Sequence, residues 1–247
     1  MPIIVNPIQL LQEMGQSVWL DGLQRDLVRS GQLRRWVHDG LISGVTYNAH
    51  VHCRAVCAQQ AYADDIRSLG AGGSSPEQIR LTLLVEDARA AAELMAPMYR
   101  RTSGLEGLVS LPCMTSSPDP ELVAADARMT WTSINHPNAL IEVAPTPNGI
   151  LALRQLVGAG INVVMAPIFS VERYREILDA CASGLEDRKQ SGAAIDAIAV
   201  ITSFAINRID NFIDSRLSQV HGRLEALAQR WLNGTASALA RIAYQPF

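Results

Sequence analysis

Lysine is nearly missing from this chain: of its 21 lysine and arginine residues only Lys189 is a lysine. Arginine cannot be deprotonated in a protein and is no nucleophile, so amine-based covalent chemistry has one side chain open to it. Cysteine is scarce too, with Cys53, Cys57, Cys113 and Cys181 the only four in 247 residues. They lack the paired spacing of a disulfide framework and are expected to be free, buried thiols. No uncharged stretch approaches the ~18 apolar residues that a membrane span needs. The segment MPIIVNPIQLLQEMGQS has no basic region leading into a long apolar run, so the expected location is cytoplasmic, with no membrane partner. Charge of one sign is not in excess either. With 21 basic against 24 acidic residues and a net charge of -3, there is no basic field to attract a nucleic-acid backbone, and none is expected as a partner.

What the chain does have is core-forming material, 48% hydrophobic against 18% charged. That is enough to bury a full interior in one domain over residues 1–247. Short β-rich runs alternate with longer helical patterns, which is how a parallel sheet of βα units reads. Six strands are expected, near Val18–Asp21, Ser43–Asn48, Gly107–Cys113, Ala139–Ala144, Asn162–Ile168 and Ala197–Ser203. Helix starts agree with this period. Ser75-Pro76-Glu77-Gln78 reads as a capping box with proline at the first helical position, and Thr146-Pro147 and Ser170 open two more helices. After the sixth strand, Asn207–Val220 and Leu224–Ala243 read as two amphipathic helices. The expected fold is α/β, a shortened (β/α) barrel of the TIM type with about six parallel strands, and in such barrels chemistry sits at the C-terminal strand ends.

Several ordered motifs carry a resemblance. Gly15-Gln16-Ser17-Val18-Trp19-Leu20-Asp21 and Gly44-Val45-Thr46-Tyr47-Asn48 resemble the first two strand motifs of bacterial transaldolases. Gly107 to Leu111, Asn138 to Thr146, Gly160 to Ser170, Ser203 to Asp210 and Gly234 to Tyr244 resemble later motifs of the same family, in the same order. The resemblance implies an aldolase-type barrel, in a family that moves a dihydroxyacetone unit between sugar phosphates through a lysine Schiff base. It implies retained site positions at Asp21, Thr46, Asn48, Ser203 and Arg208.

The departures from the family pattern are chemical. Glu142 stands where the family has its Schiff-base lysine, and a carboxylate cannot form an imine. Lys189 falls in a polar loop, Asp187 to Gly192, before the sixth strand, at the far end of the barrel from the chemistry. Pro112 replaces a family glutamate, and Val164 and Ala166, followed by Pro167, replace an asparagine and a threonine, so the lumen is expected to be more apolar and to suit a less hydroxylated ligand. Family members continue through two more strands that supply phosphate-binding residues, and this sequence stops short of them.

The catalytic candidates are Glu142, Asp21 and His50, and the substrate-binding candidates are Asn48, Thr46, Ser203, Arg208 and His52. A buried carboxyl such as Glu142 suits general acid or base work, with Asp21 as its partner; the structural alternative pairs Glu142 with Arg208. His50 and His52 follow Asn48 at the mouth of the second strand, where an imidazole can carry protons. The string His50-x-His52-Cys53-x-x-x-Cys57 is rich in donors but lies on one helix start without a second ligand pair, so neither a metal nor a cofactor is assigned. The expected activity is a lysine-independent step of the lyase, isomerase or cyclase type on a non-phosphorylated small molecule, within specialised metabolism. The rival expectation is a non-catalytic protein that binds a small molecule or a partner through the same pocket. A homodimer is expected, because strand edges left open by six strands need cover, and Leu224, Leu227, Trp231, Leu239 and Ile242 offer an apolar face for it.

Overall fold

Parallel strands need long crossovers, and the alternation of short β runs with helices supplies them. The computed structural model describes residues 6–58, 60–115 and 117–245. In chain order its elements are α1 (Pro7–Glu13), β1 (Trp19–Asp21), α2 (Arg25–Arg29), α3 (Gln32–His38), β2 (Gly44–Thr46), α4 (Ala49–Ala58), α5 (Ala63–Ala71), α6 (Pro76–Arg101), β3 (Leu108–Pro112), α7 (Pro120–Ile134), β4 (Ala139–Val143), α8 (Pro147–Gly158), β5 (Val163–Ile168), α9 (Val171–Gln190), β6 (Val200–Phe204), α10 (Ile206–Leu217), α11 (Glu225–Trp231) and α12 (Thr235–Tyr244). The six strands are all parallel and pair in sequence order, β1 to β6, so the sheet is an incomplete TIM-type barrel wrapped by helices.

Each expected strand is present, the first five one to three residues shorter in all, and the sixth beginning three residues later and ending one residue later, at Phe204. Ser75 caps α6 in a reciprocal capping box with Gln78, and the side chains of Thr146 and Ser170 cap α8 and α9. The segment Leu224–Ala243 differs from expectation. It is a short 3-10 turn, then α11, then α12, with the break at Leu232–Gly234, where Leu232 turns extended and Asn233 takes a left-handed conformation. The amphipathic period runs through this break, so period alone did not reveal it.

Two cores follow from the side-chain alternation of strands. Val45, Val109, Leu111, Ile141, Val143, Val163 and Met165 face the helices and join the main core. Ile141 is fully buried there, and cutting it to alanine should cost about 2–5 kcal/mol. Leu108, Leu140 and Val164 face the lumen and pack with Trp19, Ala166 and Ile201. Gly44 is needed on this inner face, because a Cβ there would fall inside the Trp19 indole, its partner in register. At the strand bases two buried asparagines act as clamps. Asn138 Nδ2 donates to Ala92 O at 2.9 Å and Gly107 O at 2.8 Å. Asn162 Nδ2 donates to Pro137 O at 2.8 Å, and its Oδ1 accepts from Ala199 N at 2.9 Å. These bonds fix β4, β5 and β6 at the ends opposite the chemistry.

Candidate functional site

The lumen residues stack by register. Asp21 pairs with Thr46, and Ser110 pairs with Leu140, at one level; Pro112, Glu142, Val164 and Ile201 make the next level towards the C-terminal ends. Thr46 Oγ1 and Ser110 Oγ share a hydrogen bond of 2.9 Å across β2 and β3, which places both hydroxyls on the inner face. A cavity of about 1020 Å³ opens over this surface. Its polar side is Thr46, Ser110, Glu142 and Ser203; its apolar side is Val164, Ala166, Ile201 and Ala243, with Trp19 and Tyr244 as aromatic surface. Ile201 and Ser203 face the lumen while Thr202 and Phe204 face away, yet all four line the cavity. The space therefore runs around the free edge of β6 onto α12.

Glu142 is half-buried on β4, and its carboxyl has no hydrogen bond or ion pair among the described residues. Burial raises its pKa above the ordinary carboxyl value, and the like charge of Asp21 raises it further. No arginine offsets either effect. A raised carboxyl pKa keeps a proton available where a solvated carboxylate would have lost it.

Asp21 is exposed at the end of β1, and its Oδ2 accepts from Asn48 Nδ2 at 2.9 Å. Asn48 is itself fixed, since its Oδ1 accepts from the backbone N–H of His50 at 3.1 Å and of Val51 at 3.2 Å, opening α4. The sequence after Asp21 is anchored by Arg25, 4% exposed on α2. Its Nε donates to Asp87 Oδ1 at 2.6 Å and its Nη2 to Glu86 at 2.9 Å, and it also pairs with Asp65. Its backbone N–H donates to Tyr62 Oη at 2.9 Å, and that hydroxyl donates to Asp87 Oδ2 at 2.8 Å.

Among the sequence candidates, Glu142, Thr46 and Ser203 come together on the cavity wall, with Asp21 and Asn48 paired at the end of β1 and β2. His50 is exposed in the first turn of α4. His52 is placed elsewhere. It is 3% exposed between the rings of Tyr47 and Tyr62, with an unpartnered Nε2, and lines a separate apolar cavity of about 420 Å³ between α4, α5 and α6. Burial, then the charges of Arg25 and Arg80, lower its pKa to about 4. Arg208 is exposed on α10 and makes no ion pair with Glu142. Lys189 is exposed in the last turn of α9, a helix that continues through the segment expected to be loop, and that turn leads down to the base of β6. Ser110, Trp19 and Tyr244 were not singled out from sequence. Ser110 was accessible by parity, lying two residues before Pro112 on the same inner face; Tyr244 reaches the cavity only through the tertiary placement of α12. No group of three or more His, Cys, Asp or Glu residues that could hold a metal ion occurs among the described residues.

Six parallel strands around a lumen, with titratable side chains on its wall near the C-terminal strand ends, define an incomplete TIM-type barrel with a candidate active site. The family model for transaldolase/fructose-6-phosphate aldolase matches residues 18–247, and the chain belongs to that family. It is 35% identical to a transaldolase of Thermobifida fusca over 98% of this chain and 65% of that protein. It is 33% identical to a transaldolase of Thiobacillus denitrificans, covering 98% of this chain and 67% of that protein. It is 34% identical to a transaldolase of Saccharopolyspora erythraea, covering 97% of this chain and 64% of that protein. The chain thus spans about two thirds of the length of these relatives. No helix among the described residues is long and apolar enough to cross a membrane.

Proposed function

We propose that the lumen performs lysine-independent proton-transfer chemistry on a non-phosphorylated small molecule, in place of the group transfer for which the relatives are named. Cyclisation, isomerisation, dehydration and an aldol-type step all fall within that chemistry. The observation that carries this reading is Glu142, a lumen carboxyl with no hydrogen-bond or ion-pair partner among the described residues and a raised pKa. In the protonated form it donates to a substrate carbonyl or hydroxyl, and in the ionised form it removes a proton from carbon or oxygen. Asp21, oriented by Asn48, is the second group of an acid–base pair. The hydroxyls of Thr46 and Ser110 offer neutral hydrogen bonds that hold a substrate oxygen without changing its charge. Phosphate fits poorly, because among the described residues no lysine or arginine lines the cavity. At ~4 Å and an effective dielectric constant of ~20, each pair of like unit charges costs about 4 kcal/mol.

The test is solvent deuterium exchange beside the carbonyl of unphosphorylated hydroxyketones, followed by NMR. The reading expects exchange catalysed by the wild-type protein and lost in Glu142→Gln; exchange unaltered by that change removes Glu142 from the chemistry. The setting we propose is the cytoplasm, with a homodimer as the working unit. Its support is the exposed apolar surface of Leu224, Leu227, Trp231 and Ile242, each between 47% and 61% exposed.

A further inference from the structure

We propose that the lumen's ligand carries an amine, bound as its ammonium form against Glu142 with its carbon skeleton on the wall of Val164, Ala166 and Ile201. This rests on the lumen being the functional site, and it names the substrate class. Three observations combine. The carboxyl of Glu142 and the hydroxyls of Thr46 and Ser110 lie on β2 to β4, while Val164, Ala166 and Ile201 make an apolar wall on β5 and β6 that carries hydroxyls only at Thr202 and Ser203. The carboxyl of Glu142, a half-buried residue, receives no hydrogen bond or ion pair among the described residues. The chain is rich in arginine, yet among the described residues no arginine or lysine lines the cavity, and Asp21 adds a second negative charge nearby.

A half-buried carboxyl facing an empty space of ligand size is completed best by a donor of opposite charge. A neutral alcohol gives it one ordinary hydrogen bond. An ammonium gives a charge-assisted bond and relieves the repulsion between Glu142 and Asp21. Trp19 and Tyr244 line the same cavity and favour a cation over a neutral group of equal shape. A carboxylate or phosphate ligand would meet like charge with no compensation. The arrangement also fits the acid–base reading. Proton transfer from the bound ammonium to the Glu142 carboxylate leaves a free amine and a carboxylic acid in contact, which exposes the nitrogen lone pair beside a proton donor.

Two probes of equal shape test the proposal with the full chain: benzylamine and benzyl alcohol, titrated at neutral pH while the methyl NMR signals of Leu140, Val164 and Ile201 are followed. The expected result is at least about tenfold tighter binding of the amine than of the alcohol. Glu142→Gln should bind both equally. The titratable groups that face this space are Glu142 on β4, Asp21 on β1, Tyr174 on α9 and Tyr244 on α12, so an amine preference lost in Glu142→Gln belongs to Glu142. Equal binding of both probes by the wild-type protein overturns the amine claim and leaves the lumen standing as a small-molecule site. An amine preference that survives Glu142→Gln also overturns it. Lumen methyls unmoved by either probe overturn both this inference and the reading it rests on. The wild-type comparison needs no variant, so it holds even where Glu142→Gln does not fold.

Discussion

Glu142 on β4 and Asp21 on β1 are electrostatically coupled: burial raises the pKa of Glu142 and the charge of Asp21 raises it further. A group whose folded pKa is raised is most favourable to the fold in its protonated form. Its contribution is fully present below the ordinary value of 4.5 and is lost as pH rises through the folded value. Glu142→Gln removes that loss. At neutral pH the variant should therefore melt at a higher temperature than the wild type, and the difference should vanish below pH 4.5. A variant that is less stable at neutral pH would mean that the carboxylate is a structural partner.

The same substitution should abolish turnover once a substrate is known. Glutamine keeps the shape but cannot exchange the proton, so a general acid or base role predicts a loss of at least about a hundredfold in kcat. Circular dichroism should be unchanged. Full activity in the variant would reduce Glu142 to a binding role.

Arg25 anchors the segment that follows Asp21, and both it and Asp87 are about 5% exposed. Arg25→Met leaves the Asp87 charge buried and unpaired, which predicts a loss of about 3–5 kcal/mol in urea unfolding. A change under about 1 kcal/mol would mean that Tyr62 and solvent alone satisfy Asp87.

His52 predicts an acid-sensitive fold. Its pKa is lowered from 6.5 to about 4, so the unfolded chain binds the extra proton within that interval and stability falls as pH drops through it. The full loss is roughly 3 kcal/mol, at about 1.4 kcal/mol per pH unit. Urea midpoints followed against pH should show this slope in the wild type and lose it in His52→Phe. Equal slopes in both proteins would place the titration elsewhere.

The strand pattern was legible from local chemistry, because parallel strands covered on both faces are short and apolar and their helices carry explicit caps at Ser75, Thr146 and Ser170. Glu142 was legible as an outlier in such a strand. His52 was not placed correctly relative to the lumen by sequence, since its position two residues beyond His50 puts it on the opposite side of α4, and a helix turns ~100° per residue. Nor was the wall from α12, because nothing local to Ala240, Ala243 and Tyr244 tells which face of β6 they will meet.

Association is checked by light scattering at low protein concentration. The exposed side chains Leu224, Leu227, Trp231 and Ile242 predict the mass of a homodimer, and Trp231→Glu should shift it to that of one chain. A wild-type protein that already has the mass of one chain contradicts the dimer.

The most direct test of the central claim, that the lumen works without an amine of its own, is borohydride reduction in the presence of fructose 6-phosphate, read by intact mass. The predicted result is an unchanged mass, because the site on β4 holds Glu142 and the sole lysine, Lys189, is exposed at the end of α9. A stable added mass equal to a reduced sugar adduct, mapped to any side chain of this protein, would contradict it.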